Sequence, residues 1–198
     1  MYTGTKVALA AGACTLVLAS TAMALTIIGT KGDDRIFGSR GEDDITALAG
    51  NDRVHAFGGD DRVNAGPGDD GVAGDGGADF IRGKHGDDRV RGGDGADHIA
   101  VGQGVDVNSG GDGNDVLWAY AHKDVEVDGV DTLVGGTGND RLRARDGEAD
   151  QIDCGRGRRD KALLDQVDVI VDATPENPNG SCEAVLRADP PPDPTPEP

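Results

Sequence analysis

A nine-residue repeat organises most of this 198-residue chain. Ten consecutive nonapeptides run without a gap from Gly29 to Trp118, and two more occupy 126–143. The fourth position of every repeat is glycine, namely Gly32, Gly41, Gly50, Gly59, Gly68, Gly77, Gly86, Gly95, Gly104, Gly113, Gly129 and Gly138. The sixth position is always aspartate, namely Asp34, Asp43, Asp52, Asp61, Asp70, Asp79, Asp88, Asp97, Asp106, Asp115, Asp131 and Asp140. A disordered chain has no reason to keep this phase, so the pattern indicates a stacked array.

The eighth position of each repeat predicts a short strand after a turn. It is aliphatic in every repeat except the one with Asn108. Asp44, Ile45 and Thr46 alternate polar, apolar, polar, so only the aliphatic side chain should point inward. The seventh positions agree with this phase, since several are arginines expected to face solvent: Arg35, Arg53, Arg62, Arg89 and Arg141. Two repeats would form one coil, and the predicted fold is all-β, a right-handed parallel β-roll with coils about 4.8 Å apart.

Composition suggests that this roll needs a further stabiliser. Aromatic residues are 3% of the chain and glycine fills 33 positions, so the interior is thin and the ordering entropy is large. The formal charge of -18, from 37 acidic and 19 basic residues, argues against nucleic acid or anionic lipid as a partner and favours cations. Without a cation, an acidic and glycine-rich chain of this kind is expected to be disordered.

The repeated aspartate predicts a calcium site in the turns. One aspartate at a fixed place in each repeat produces a column of carboxylates that repel one another. Ca²⁺ accepts six to eight oxygen ligands, and backbone carbonyls near the fourth-position glycines would lie beside the aspartate. Mg²⁺ demands tighter octahedral geometry, and transition metals prefer His or Cys. We therefore predict several Ca²⁺ ions as cofactors and the sixth-position aspartates as ligands.

The repeat resembles the RTX, or hemolysin-type, calcium-binding nonapeptide Gly-Gly-x-Gly-x-Asp-x-aliphatic-x. The nearest matches are 92–100, 110–118 and 135–143. The resemblance implies that the aspartates bridge ions between turns while glycine-loop carbonyls complete the ligand shell. Some repeats depart from the pattern at their first two positions, as at 47–48, 56–57 and 126–127, so we expect about eight filled sites. Asn108 and the insertion at 119–125 predict an interruption of the roll.

The two ends of the chain have a different composition. Lys6, an apolar stretch at 7–18 and the small-residue pattern at 22–24 predict a secretory signal peptide over 1–24, with a membrane anchor as the alternative. In a secreted chain without its leader, Cys154 and Cys182 would form a disulfide. The predicted segments are the signal at 1–24, repeats at 25–118, an insertion at 119–125, further repeats at 126–143, a disulfide-linked cap at 144–188 and a Pro-rich, unfolded tail at 189–198.

Other chemistry-bearing residues give weak signals. The four histidines share no repeat position or zinc-ligand spacing and are expected to face solvent: His55, His85, His98 and His122. Trp118 and Tyr120 are expected to cover an end of the roll.

The function predicted from the sequence is that of a secreted calcium-binding protein that folds on binding the ion. The alternatives are a calcium-dependent adhesin or surface-layer component with an unknown surface partner and, less favoured, the appendage of an extracellular enzyme. No catalytic motif is present, so we predict no enzyme activity. We expect a monomer without nucleic-acid or membrane partners once the signal is cleaved.

Overall fold

The computed structural model describes residues 23–119, 129–174, 177 and 180–188, and the backbone of 5–8. Within these residues the chain is an all-β parallel solenoid of about eight turns and contains no helix. The predicted fold class is confirmed. No helix in the described part is long and apolar enough to cross a membrane.

The solenoid is built from nineteen short strands. Their bounds are β1 Thr5–Ala8, β2 Leu25–Ile28, β3 Arg35–Phe37, β4 Asp44–Thr46, β5 Arg53–His55, β6 Arg62–Pro67, β7 Gly71–Gly76, β8 Phe80–His85, β9 Arg89–Asp94, β10 His98–Ala100, β11 Val107–Asp112, β12 Val116–Ala119, β13 Thr132–Gly138, β14 Arg141–Ala144, β15 Gln151–Asp153, β16 Arg156–Gly157, β17 Lys161–Leu164, β18 Val169–Ile170 and β19 Ala184–Arg187.

Alternate strands belong to two parallel sheets. Sheet A has ten strands in the order β1-β2-β4-β6-β8-β10-β12-β14-β17-β19. Sheet B has nine strands, in the order β18-β15-β13-β11-β9-β7-β5-β3, with β16 pairing beside β15 on β13. Residues 18 positions apart pair in the regular part, for example Ile45 with Val63 and Val63 with Ile81. One coil is therefore two nonapeptides, as the repeat predicts.

The interior contains two residues from each strand. The eighth-position aliphatic side chains are buried, and Ile36, Ile45, Ile81 and Ile99 have no exposed surface. The first position of the following repeat, two residues later, is buried as well, for example at Ala47. A strand turns every second side chain to one face, so this second inward position follows from the first. The seventh-position arginines are exposed, as predicted.

Both sheets continue across the predicted interruption. Asn108 pairs with Leu133, and Leu117 pairs with Leu142, at an offset of 25 residues in place of 18. The expected break in the roll is therefore wrong. The extra residues lie between the end of β12 and the turn before β13, so they lengthen a connection and leave the strand pairing intact. Residues 120–128, which include Tyr120 and His122, lie outside the described part.

The carboxy-terminal segment adds further strands to the same two sheets. β15 and β18 extend sheet B, while β17 and β19 extend sheet A. Cys154 and Cys182 form the predicted disulfide, with 2.04 Å between the sulfurs and 5.2 Å between the Cα atoms. The guanidinium of Arg187 donates hydrogen bonds of 2.9 and 3.0 Å to the carbonyls of Asp165 and Asp168. The final strand thus satisfies backbone groups that the last coil would leave open.

The predicted leader overlaps the start of the solenoid. β1 pairs in parallel with β2, from Thr5 with Leu25 to Ala8 with Ile28. The rest of 1–22 lies outside the described part, as does the tail at 189–198. Cleavage near Ala24 would remove β1 and make β2 the amino-terminal edge of sheet A.

Asn108 is a polar residue in the apolar ladder of sheet B. It lies between Val90 and Leu133 with 1% of its surface exposed, and neither amide atom has a hydrogen-bond partner in the part of the chain that the structure describes. An unpaired buried amide costs about 1 to 3 kcal/mol, so Asn108→Val is expected to raise the free energy of unfolding by that amount. Urea denaturation at fixed calcium measures it. Val90→Asn, the reciprocal change one coil away, should lower it. A loss of stability in Asn108→Val would contradict the assignment of an unpaired amide.

Candidate calcium-binding edges

All twelve sixth-position aspartates are buried, with at most 3% of their surface exposed. They lie in two columns, because successive repeats alternate between the sheets. Column A precedes the strands of sheet A and contains Asp43, Asp61, Asp79, Asp97, Asp115 and Asp140. Column B precedes the strands of sheet B and contains Asp34, Asp52, Asp70, Asp88, Asp106 and Asp131. The structure therefore brings each set of predicted ligands into one line along an edge of the roll.

Hydrogen bonds connect the carboxylates of each column from coil to coil. From Asp52 and Asp61 onwards, Oδ1 of each column aspartate accepts from the backbone N–H of the aspartate one coil earlier, as Asp97 does from Asp79 at 2.8 Å. The same bond recurs along both columns at 2.7 to 3.1 Å. Each carboxylate is therefore held in position by the backbone of its neighbour, with one oxygen already used.

The columns extend past the last Gly-x-Asp repeat. Asp150 and Asp168 continue column B, and Asp160 continues column A. Oε2 of Glu183 then accepts from the N–H of Asp160 at 2.7 Å. These residues do not match the Gly-x-Asp pattern. The turns that begin at Gly147 and Gly157 are one residue longer, and no glycine stands two residues before Asp168 or Glu183. Their signal in the sequence is the preserved carboxylate-x-apolar spacing.

Among the described residues, the second oxygen of most column carboxylates is buried without a hydrogen-bond partner. This holds for Oδ2 of Asp52, Asp61, Asp70, Asp79, Asp88, Asp97, Asp106, Asp115, Asp140, Asp150 and Asp160. A buried anionic oxygen without a donor is costly unless a cation accompanies it. These oxygens line up along both edges, so the chain presents the donor set of a hard cation in a desolvated place.

From Asp52 and Asp61 onwards, burial raises the pKa values of the column aspartates, and repulsion from neighbouring carboxylates adds to the shift. Burial is the main cause at Asp88, where the pKa reaches about 8, and repulsion from Asp106 and Asp70 adds to it. The pKa of Asp61 also reaches about 8 through burial and its column neighbours, and that of Asp115 about 7. Backbone hydrogen bonds oppose the shift in each case. In the unfolded chain these groups titrate near 3.8, so without a cation the folded roll becomes less stable as the pH rises from about 4 to 8.

The first-position glycines pack closely against the column carboxylates. At Gly92, a Cβ would overlap Oδ2 of Asp97 and lie 2.6 Å from the carbonyl oxygen of Gly110 on the next coil. The same close approach recurs in column A at Gly74, Gly110 and Gly135, and in column B at Gly83. Other first positions hold a small or apolar side chain that enters the interior: Ala56 in column A and Ala47, Ala65 and Val101 in column B. Close contact between glycine backbone and carboxylate is therefore more frequent in column A.

The three most complete sequence motifs are neighbours in the fold. The turns of 92–97, 110–115 and 135–140 all belong to column A and stack on consecutive coils, because β10, β12 and β14 are adjacent in sheet A. Gly93, Gly111 and Gly136, at the second position of these turns, all have positive φ. In other repeats non-glycine residues adopt positive φ there, as at Leu48 and Lys84. The best matches thus combine low backbone strain with a glycine backbone that lies close to the column carboxylate.

A comparison with known protein families identifies the family to which the nonapeptide repeat belongs. The model of the RTX calcium-binding nonapeptide repeat matches residues 26–54, 39–72, 73–107, 109–125 and 127–158, which together cover well over half of the chain. This chain belongs to the RTX calcium-binding repeat family. It is accordingly a calcium-binding repeat protein with the β-solenoid fold. No curated protein and no solved structure matches the chain significantly.

The RTX edges offer a cation few side-chain ligands at any one point. In the described residues no three Asp, Glu, His or Cys side chains converge on a possible metal position. Each coil contributes one column carboxylate per edge, so the remaining oxygens would come from the backbone. This agrees with the resemblance-based expectation that carbonyls of the glycine-rich loops complete the shell.

The first RTX coil is capped by hydroxyl groups. The backbone N–H of Thr30 donates to Oδ2 of Asp34 at 2.6 Å, and its hydroxyl lies 3.0 Å from the same oxygen. The N–H of Ser39 likewise donates to Oδ2 of Asp43 at 2.5 Å, and its hydroxyl donates to the carbonyl of Met23. Donors from the chain itself therefore satisfy oxygens that have no partner in most later coils.

The remaining predicted residues lie outside the columns. His55, His85 and His98 are exposed, as expected. Trp118 does not cover an end of the roll. It lies on the outer face of sheet A in β12, with β10 on one side and β14 on the other. The ninth position of a repeat faces outward, as the strand alternation requires. Trp118 ends the uninterrupted run of repeats in the sequence, but its strand lies inside the sheet and not at its end.

Proposed function

We propose that this protein is a secreted calcium-binding protein whose β-roll folds as several Ca²⁺ ions bind between successive turns. The main support is the pair of continuous columns of buried carboxylates, most of which have an oxygen without a hydrogen-bond partner among the described residues. Such an arrangement destabilises the folded chain unless positive charge enters it.

Column aspartates and loop carbonyls of adjacent coils would hold the ion. Bound Ca²⁺ would supply divalent charge that offsets carboxylate repulsion and links neighbouring turns. The backbone bonds to Oδ1 fix each carboxylate so that Oδ2 stays available. About eight filled sites would supply a charge comparable to the formal excess of -18.

We infer that the strongest sites follow column A through Asp97, Asp115 and Asp140. These carboxylates end complete Gly-Gly-x-Gly-x-Asp turns, and the first-position glycines bring the backbone of the turn close to them. The turns of column B depart from the glycine pattern more often, so sites there should be weaker.

Secretion is supported by the disulfide and by the apolar, lysine-headed amino terminus. In a calcium-poor cell the chain would remain unfolded, and it would fold outside, where millimolar calcium suits sites of modest affinity. We favour a binding or structural role over catalysis. An adhesin or surface-layer role is the second candidate, favoured by the neighbouring rings of Phe80, His98 and Trp118 on the outer face of sheet A.

Asp97→Asn is expected to reduce the number of Ca²⁺ ions bound by at least one and to lower the melting temperature. The amide oxygen of the new side chain still accepts the hydrogen bond from the N–H of Asp79, but the side chain lacks the negative charge that the ion needs. Isothermal titration calorimetry gives the stoichiometry.

The matched control is Asp94→Asn in the same nonapeptide. Asp94 is exposed and stands outside the column, so its removal changes the net charge equally and should leave the stoichiometry unchanged. An unchanged stoichiometry in Asp97→Asn, or an equal loss in both variants, would exclude Asp97 as a ligand.

A further inference from the structure

The outer face of sheet A is basic in an otherwise acidic protein. Six consecutive strands of this sheet, β6, β8, β10, β12, β14 and β17, contain no aspartate or glutamate. They do contain six exposed cations, namely Arg62, Arg82, Lys84, Arg141, Arg143 and Lys161. Only Arg62 forms an ion pair within the described residues, with Glu42 at 3.2 Å. The other five present uncompensated positive charge to solvent.

An aromatic row crosses the same face. The rings of Phe80 and His98 lie 6.4 Å apart between centroids, and those of His98 and Trp118 lie 5.6 Å apart. The guanidinium of Arg82 stands 4.8 Å over the Phe80 ring, and that of Arg143 stands 5.9 Å from the Trp118 ring. Stacking restrains a guanidinium while leaving its N–H groups available for bidentate bonds to a carboxylate. We call this surface the basic aromatic face.

We propose that the basic aromatic face binds a carboxylated polysaccharide, with arginines pairing to the uronate groups and aromatic rings contacting the sugar rings. Planar bidentate pairing with carboxylates is the recognition for which arginine is suited. Aromatic side chains supply flat apolar area beside polar groups, which suits a sugar ring with one apolar face. The proposal goes beyond calcium binding and requires only the folded roll.

Charge distribution favours a saccharide over a nucleic acid. The strands of this face are three to six residues long, so the face is about 10 to 20 Å wide. Exposed acidic residues of the turns border both of its edges, for example Asp60 and Asp87. Duplex DNA has one negative charge per ~1.7 Å of axis and would bring phosphates against these residues. A saccharide chain with its charges spaced by sugar rings can run along the middle of the face, over one strand after another.

The test compares two double variants with equal loss of charge at equivalent strand positions. Arg141→Ala with Arg143→Ala removes two cations from the basic aromatic face. Arg89→Ala with Arg91→Ala removes the same number from β9 on sheet B. Binding of a short oligogalacturonate to the calcium-loaded protein is measured by calorimetry and by fluorescence of Trp118, the only tryptophan of the chain. Circular dichroism checks that each variant is folded.

We expect the sheet A variant to bind the oligogalacturonate about tenfold more weakly and the sheet B variant to stay within about twofold of the parent protein. A neutral maltooligosaccharide of equal length should bind far less. Equal weakening by both variants, equal binding of the neutral sugar, or no binding of the oligogalacturonate would overturn the proposal. Tighter binding of single-stranded DNA or of anionic phospholipid vesicles would also overturn it, in favour of that partner.

Discussion

Chelation of calcium is expected to unfold the mature chain, with loss of the strand signal in far-ultraviolet circular dichroism. Each site filled at one hundred times its dissociation constant stabilises the fold by roughly 2.7 kcal/mol, so a few sites together reach the 5 to 15 kcal/mol typical of a whole protein. Without the ions, the unpartnered carboxylate oxygens and raised pKa values along both columns oppose folding. Readdition of millimolar calcium should restore the strands and a cooperative melting transition.

Magnesium at the same concentration is the control for charge alone. It should restore less structure, since Mg²⁺ gives up water reluctantly and demands octahedral geometry. The disulfide between Cys154 and Cys182 should remain intact throughout, so that any unfolding reflects the loss of the ion. A chelated chain that keeps its strand signal and melts cooperatively at the same temperature would contradict calcium-dependent folding.

Gly95→Ala is expected to destabilise the calcium-loaded roll by at least about 3 kcal/mol. Gly95 has φ of +138°, and a Cβ there would overlap the carbonyl oxygen of Gly77 on the preceding coil. Both atoms belong to backbone held by the sheets, so relief requires separating two coils. The free energy of unfolding from urea denaturation at fixed calcium measures the loss.

Gly32→Ala provides a control at the same repeat position. Gly32 lies in the first regular turn, and a Cβ there meets no atom within 4 Å. Its replacement should change the free energy of unfolding by less than about 0.5 kcal/mol. Equal losses in both variants would mean that the fourth-position glycine is required for a reason other than coil stacking.

The repeat predicted the fold because its two signals, the Asp-x-aliphatic spacing and the nonapeptide period, can both be read from short stretches of sequence. The Asp-x-aliphatic spacing sets the inward face of each strand, and the nonapeptide period sets the coil. The second inward position was not predicted, since alanine at Ala47 and Ala56 looked like a defect in a Gly-Gly pair. In three dimensions these side chains enter the interior, where a small apolar residue fits. The continuity of the sheets at Asn108 was also missed, because sequence spacing does not reveal whether an insertion interrupts a strand or a connection.

The sequence predicted which aspartates form the candidate calcium-binding edges but not how they are arranged. The twelve aspartates follow from the repeat, whereas their division into two columns depends on which sheet each repeat joins. Asp150, Asp160 and Asp168 required the structure, because their turns do not keep the Gly-x-Asp form. The stacking of the motifs that end at Asp97, Asp115 and Asp140 was not predicted either. The insertion lies between the second and the third of these motifs, so their spacing along the chain is irregular. Their role as calcium ligands stays a prediction for the stoichiometry experiment.

The offsets between paired strands have a consequence for how such a chain can change length. Coils pair at offsets of 18, 19, 20, 23 and 25 residues, while each strand keeps its partner and its inward face. A duplication or deletion of one whole coil would therefore join two existing strand surfaces that already match. Recombination within the gene could lengthen or shorten the protein by one coil, adding or removing two turns, without a change in how the interior side chains pack.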